Sequence, residues 1–200
     1  MYFKVYKDRK KILSSSLNSL SSNYELCIMN YELKKLSLHY TFYYMKNFLE
    51  LLKSRHSCRR FTGEAVSKES IEYILEAARL SPSGHRVRPW EFFVVEDKET
   101  LSALSVSKAS GASPVGRAAA AIVVAADTTK TDVWVEDCSI ATIIMQLAAE
   151  ELGLGSCWVQ IRLRKDVEGN DASENVKKIL NLPENYSVLS IVALGHKAEL

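Results

Sequence analysis

Within the seven-residue run Arg55-His56-Ser57-Cys58-Arg59-Arg60-Phe61, the sequence places three guanidiniums and a small hydroxyl just after a short amphipathic segment. Planar charged forks, with a compact donor that can approach closely, are what holding a phosphate requires. Downstream, Pro82-Ser83-Gly84-His85-Arg86-Val87-Arg88-Pro89-Trp90 is a turn-rich loop leading into an apolar strand. Such loops are a usual place for backbone groups to meet a ligand. Together the two runs point to a phosphorylated cofactor. Alone, the arginine run is read more economically as a solvated helix end, because positive charge is favourable at helix C-termini.

The remaining sequence must position these runs. At 200 residues, 47% hydrophobic and 25% charged, the chain suits one globular domain that buries a core without metal or disulfide staples. A formal net charge of +2 gives no global case for nucleic acid or a membrane surface. The charge is uneven: seven Lys/Arg and three Asp/Glu precede Met45, so the rest is slightly acidic. Cys27, Cys58, Cys138 and Cys157 are scattered without a C-x-x-C pair, which argues for reduced thiols in a cytoplasmic protein rather than zinc or a disulfide framework. No apolar run approaches the roughly 18 residues of a membrane span. Ile12-Leu13-Ser14-Ser15-Ser16-Leu17 is too serine-broken for a signal peptide.

Residues 1–44 hold neither Gly nor Pro and show no clean period. A disordered extension, a helical appendage and sequence upstream of the true start all compete; Met45 is favoured as the functional start. A helix opens at Met45. Ser67 caps a second, with Ile71, Ile74, Leu75 and Ala78 on one face. Trp90–Val95 reads as a strand, Lys98–Val106 as a short helix, and Ser107–Pro114 as a loop. Ala121–Ala126 is a core strand. Glu136–Leu152 is helical, nearly encircled by apolar residues and so expected to be central and buried. Cys157–Ile161 is a strand, Ser173 caps a helix, and Val188–Leu194 is the last strand. This order predicts an α+β fold with helices packed on a central sheet.

At these residues the chain resembles the nitroreductase-like family of FMN enzymes, from Met45 to about Lys197. Four features carry the resemblance in order: Arg55-x-Ser57-x-Arg59; the Pro82-Ser83 loop ending in Pro89-Trp90; Glu136-Asp137-Cys138 opening a helix that ends in Gly153-Leu154-Gly155-Ser156-Cys157-Trp158; and Leu194-Gly195-His196. The resemblance implies the FMN-dependent nitroreductase fold, a mostly antiparallel sheet flanked by helices in a homodimer. It implies that Arg55, Ser57 and Arg59, with His56 beside them, bind the flavin phosphate and ribityl chain. Pro82, Ser83, Gly84, His85 and Arg86 of the other subunit would line the ring, and Trp158, Gln160 and Ile161 would run under its edge. The family commonly has Asn at Arg86 and Gln at Arg88. Relatives also continue into an arm that adds a basic residue to the phosphate site; here that arm is expected to be missing, leaving Lys197.

The implied activity is transfer of a hydride from the co-substrate NAD(P)H, through flavin N5, to a nitroaromatic, quinone or similar small-molecule acceptor by ping-pong kinetics. Alternatives are a specialised dehalogenase or flavin-cleaving member of the family, or a flavin-binding protein without turnover. No residue is assigned as a catalytic acid or base, no metal is expected, and no nucleic acid or membrane partner is implied. Trp90 and Trp158 are read as core or interface aromatics, Cys58 as a packed bystander, and Glu136-Asp137 as stabilising charge at a helix start.

Overall fold

The computed structural model describes residues 48–198. The expected extension 1–44, and the first three residues of the helix placed at Met45, lie outside the described residues. Helix α1 (Phe48–Ser54) leads to α2 (Lys68–Arg79), a single 3-10 turn (Gly84–Arg86) and β1 (Trp90–Val95). Then follow α3 (Lys98–Ser105), α4 (Ser113–Arg117), β2 (Ala120–Asp127), α5 (Trp134–Glu151), β3 (Leu154–Gln160), α6 (Ala172–Leu180) and β4 (Tyr186–His196). The four strands form one sheet in the order β1-β2-β4-β3, and every neighbouring pair is antiparallel.

β2 is an unbroken apolar run, Ala-Ala-Ile-Val-Val-Ala-Ala, because helices cover both faces of the sheet and no position alternates to water. On one face Ile71, Ile74, Leu75 and Ala78 of α2 and Cys138, Ala141, Met145 and Ala149 of α5 pack on Ile122, Val124 and Val192. On the other, Leu101 and Leu104 of α3, Val115 and Val176 pack on Val123, Cys157, Val159 and Ile191.

Four local expectations are corrected. α6 is capped by Asp171, whose carboxylate accepts from Ser173 N and Glu174 N; Ser173 lies inside the helix and its hydroxyl accepts from Val188 N. The stretch expected as loop contains the start of α4, where Ser113-Pro114 puts proline in the first turn and its missing N–H costs nothing. β3 begins three residues earlier than expected, at Leu154. Lastly, α5 is not buried all round. Its alanines, Met145, Thr142 and Gln146 face inward, while Ile140 and Ile143 remain 37% and 38% exposed.

The pairing of β2 with β4 is broken at one point by a bulge. Val124 pairs with Ser190 and Ala125 with Val188, so Leu189 is an extra residue. Its carbonyl swings to the end of β3 and accepts from both Ile161 N and Arg162 N at 3.0 Å.

Candidate functional site

The arginine run is seated on the sheet by short contacts. α1 ends with Arg55 N donating to Leu51 O at 3.0 Å. Ser57 then bridges Ser156 in parallel fashion, Cys58 N donates to Ser156 O at 2.8 Å, and Thr62 N donates to His196 O at 3.0 Å. Directly beneath, Gly155 and Gly195 are partners in the β3–β4 register. A Cβ on Gly155 would stand 2.7 Å from Cys58 Sγ, and one on Gly195 would stand 2.8 Å from the Phe61 ring. The paired glycines therefore make a flat patch on which Cys58 and Phe61 rest. Cys58 is buried and its thiol donates to Arg60 O, which fits the bystander reading.

This seating leaves the charged groups pointing outward. Arg55 and Ser57 are half-buried, while His56, Arg59 and Arg60 are exposed. Among the described residues no carboxylate forms an ion pair with Arg55 or Arg59. Unneutralised guanidiniums on a fixed backbone, with a serine hydroxyl between them, are a donor set suited to a phosphate, so the residues fit the cofactor that the sequence implies. Lys197 is placed differently. Its ammonium lies 2.7 Å from the buried Glu150 carboxylate, so its charge serves that carboxylate first.

β3 is the edge strand beside this segment. Ser156 O accepts from Cys58 N and Gln160 O accepts from Lys108 Nζ at 2.9 Å, both on the side away from β4. By the two-residue alternation of an antiparallel strand, the Trp158 N–H and C=O face the same open edge. Trp158 Nε1 donates to Gln160 Oε1 at 2.9 Å, and Gln160 Nε2 donates to Arg162 O at 3.1 Å, which fixes both side chains. Ile161 departs from its expected role: its side chain is fully buried and its N–H is taken by Leu189 O, so it does not present a free donor. Lys108, which no motif of the sequence singles out, has its pKa lowered by burial and then by the neighbouring charge of Arg164. Burial pushes the Cys157 thiol up, and Cys138 is pushed up to about 12 by burial and then by Asp137. These thiols are packing, not nucleophiles.

The second loop is tethered elsewhere. Gly84 N donates to Asp137 Oδ1 at 2.8 Å in the first turn of α5, and a Cβ on Gly84 would meet Val133. The turn closes through Arg86 N to Ser83 O, Val87 N to Gly84 O and Arg88 N to Ser83 Oγ. His85, Arg86 and Arg88 have φ of 50, 60 and 51°, left-handed values that non-glycine residues adopt at a cost of about 1–2 kcal/mol each. Arg88 also precedes Pro89, where extended backbone is preferred. Asp137 is therefore more than helix-terminal charge. It is 3% exposed, and its Oδ2 is buried with no hydrogen-bond partner among the described residues.

The structure brings Arg55, Ser57 and Arg59 to the edge where Ser156, Trp158 and Gln160 lie. It does not bring Pro82–Arg86 there. That loop sits at the start of α5, whereas Lys197–Glu150 and the arginine segment lie at its end. The thirteen helical positions from Asp137 to Glu150 separate the two by roughly 20 Å. Among the described residues no group of three metal-ligating side chains converges, and no helix is long and apolar enough to cross a membrane.

The family model described as the Nitroreductase family matches residues 52–127 and 106–196. The chain is 38% identical over 156 residues to an Archaeoglobus fulgidus protein provisionally named NADH dehydrogenase/NAD(P)H nitroreductase, covering 76% of this chain and 86% of that one. It is 44% identical to an FMN-dependent nitroreductase of solved structure from Clostridium difficile R20291, with a TM-score of 0.74 over 75% of this chain and 87% of the other. A Desulfovibrio desulfuricans relative, provisionally named a nitroreductase and solved in complex with FMN, is 28% identical with a TM-score of 0.63 over 76% and 86% of the two chains. With its sheet order, its seated arginine segment and these matches taken together, the chain belongs to the nitroreductase family.

Proposed function

We propose that this chain is an FMN-dependent NAD(P)H oxidoreductase that reduces a nitroaromatic, quinone or similar small acceptor, its two substrates visiting one open site in turn. The observation that carries the reading is the Arg55–Arg59 segment, fixed on the Gly155–Gly195 patch with its Arg55 and Arg59 guanidiniums free of carboxylates among the described residues. When bound, FMN would supply the hydride-transfer chemistry that links NAD(P)H to the acceptor. Arg55 and Arg59 would hold its phosphate, with the Ser57 hydroxyl between them as a further donor. The open edge of β3 at Trp158 and Gln160 offers backbone donors to the ring, and the Trp158–Gln160–Arg162 side-chain chain holds that edge still. No acid or base is assigned: Lys108, which reaches the same edge, has its ammonium occupied by Gln160 O.

The same reading makes the protein a homodimer. A site that uses both the arginine segment and Pro82–Arg86 cannot close within one chain across the length of α5, but an isologous pair brings one end of each molecule to the other end of its partner. The outward stripe of α5 at Ile140 and Ile143 supplies an apolar surface for that contact. The test is a visible absorption spectrum of the purified protein, before and after anaerobic NADPH. Flavin bands that bleach, and NADPH consumption that depends on an added acceptor, are expected. A colourless protein that does not take up FMN would overturn the reading.

A further inference from the structure

We propose that the loop His85–Arg88 is an anion-binding rim, and that a molecule visiting the site carries a phosphate or carboxylate group that this rim recognises. The inference rests on the proposed function and names the substrate class of that same site. His85, Arg86 and Arg88 are all exposed, and among the described residues none forms an ion pair. The carboxylate bonded to this loop, Asp137, is buried and accepts the Gly84 N–H instead. Asp132 and Glu136, at the start of α5, are exposed and pair with none of the three. Arg162, which no carboxylate neutralises among the described residues, stands 5.8 Å above the ring of Trp134 in the first turn of α5.

Solvated surface arginines place no demand on the backbone. Here three of four consecutive residues are held left-handed, and three hydrogen bonds pin the turn. Strain retained under basic side chains, in a loop tied to the rigid start of a helix, fits a preorganised recognition element. A guanidinium fork matches carboxylate or phosphate oxygens, whereas a neutral nitroaromatic or quinone offers it little. The anion has two sources: the 2′-phosphate that distinguishes NADPH from NADH, or an acid group on the acceptor.

The experiment compares matched pairs on the wild type, Arg88→Gln and Arg88→Lys. Binding of 4-nitrobenzoate and 4-nitrobenzamide is measured by calorimetry, and kcat/KM is measured for NADPH and NADH. The wild type is expected to favour the anionic member of at least one pair by about 10-fold. Arg88→Gln should reduce that to about 2-fold, and Arg88→Lys should keep most of it. A preference within the nitrobenzoate pair places the anion on the acceptor; one within the nucleotide pair places it on the reductant. No preference in either pair, or one that Arg88→Gln leaves intact, overturns the proposal. The calorimetric arm needs no flavin, so a protein that fails to take up FMN would defeat the proposed function while leaving the anion preference readable.

Discussion

The two runs to which we assign the cofactor and substrate contacts are built in opposite ways. The Arg55–Phe61 segment lies on glycines, and its backbone is paired with strands on the sheet. The Gly84–Arg88 loop is held away from favourable backbone by a carboxylate and its own turn. The first is relaxed where it touches the fold and presents its charges outward; the second stores strain. On the proposed function, the first is a phosphate handle common to every turnover, which benefits from rigidity. A loop that meets exchanging substrates is where strain and specificity tend to occur together.

The largest expected effect breaks the first region. Gly155→Val would force Cys58 off the patch, because even the first added carbon lies 2.7 Å from its sulfur. Overpacking of this kind costs about 1–3 kcal/mol of stability, which a domain of this size tolerates, but the arginines lose their register. FMN affinity should fall at least about 100-fold while circular dichroism still reports a folded protein. Affinity within a few-fold of wild type would show that the glycine pair does not seat the site.

Next come the charges themselves. Arg55→Ala and Arg59→Ala each remove a charge-assisted contact worth about 1.5–3 kcal/mol, so FMN should bind about 10–100-fold more weakly. Because neither guanidinium has an ion-pair partner among the described residues, the thermal midpoint should barely move. Flavin titration and thermal melts of the same samples separate the two effects.

This first region is legible in the sequence because its signal is local: charges and a hydroxyl at short spacing. The α-helical and strand periods are legible for the same reason, and so is the Ser67 cap. What escapes a linear reading depends on contacts between distant residues. Gly155 and Gly195 are forty positions apart, and only the β3–β4 register makes them one surface. Asp137 looks like ordinary charge at a helix start, yet its bond to Gly84 spans 53 positions. The encircled α5 pattern misleads because alanines fill its inner face and leave bulkier isoleucines outside. Asp171 is recoverable, since Asp171-Ala172-Ser173-Glu174 has the spacing of a capping box.

Asp137 ties the second region to the fold, and its replacement should loosen that region alone. Asp137→Ala leaves the Gly84 N–H without an acceptor, a loss of about 1–3 kcal/mol. It also removes the Oδ2 that is buried without a partner among the described residues, so the two effects partly offset in global stability. Asp137→Asn retains an acceptor for Gly84 and should keep the loop closed. Hydrogen exchange at Gly84 to Arg88 is expected to quicken in the alanine variant and not in the asparagine one. Equal exchange in both would mean that Val133 contact alone holds the loop.

The smallest effect is the sharpest test of the contrast. Arg86 sits at φ 60°, where a β-carbon is unfavourable and glycine is not. Arg86→Gly should therefore raise stability by roughly 0.5–1 kcal/mol, net of the extra freedom glycine brings to the unfolded chain. Arg86→Ala keeps the β-carbon and loses the same guanidinium, so it should give no such gain. Chemical denaturation of the two variants against wild type measures this difference directly. If glycine stabilises and alanine does not, the left-handed backbone is a cost carried for the side chain at its tip. Equal stability in both variants would make the loop relaxed, and strain could then no longer distinguish it from the arginine segment.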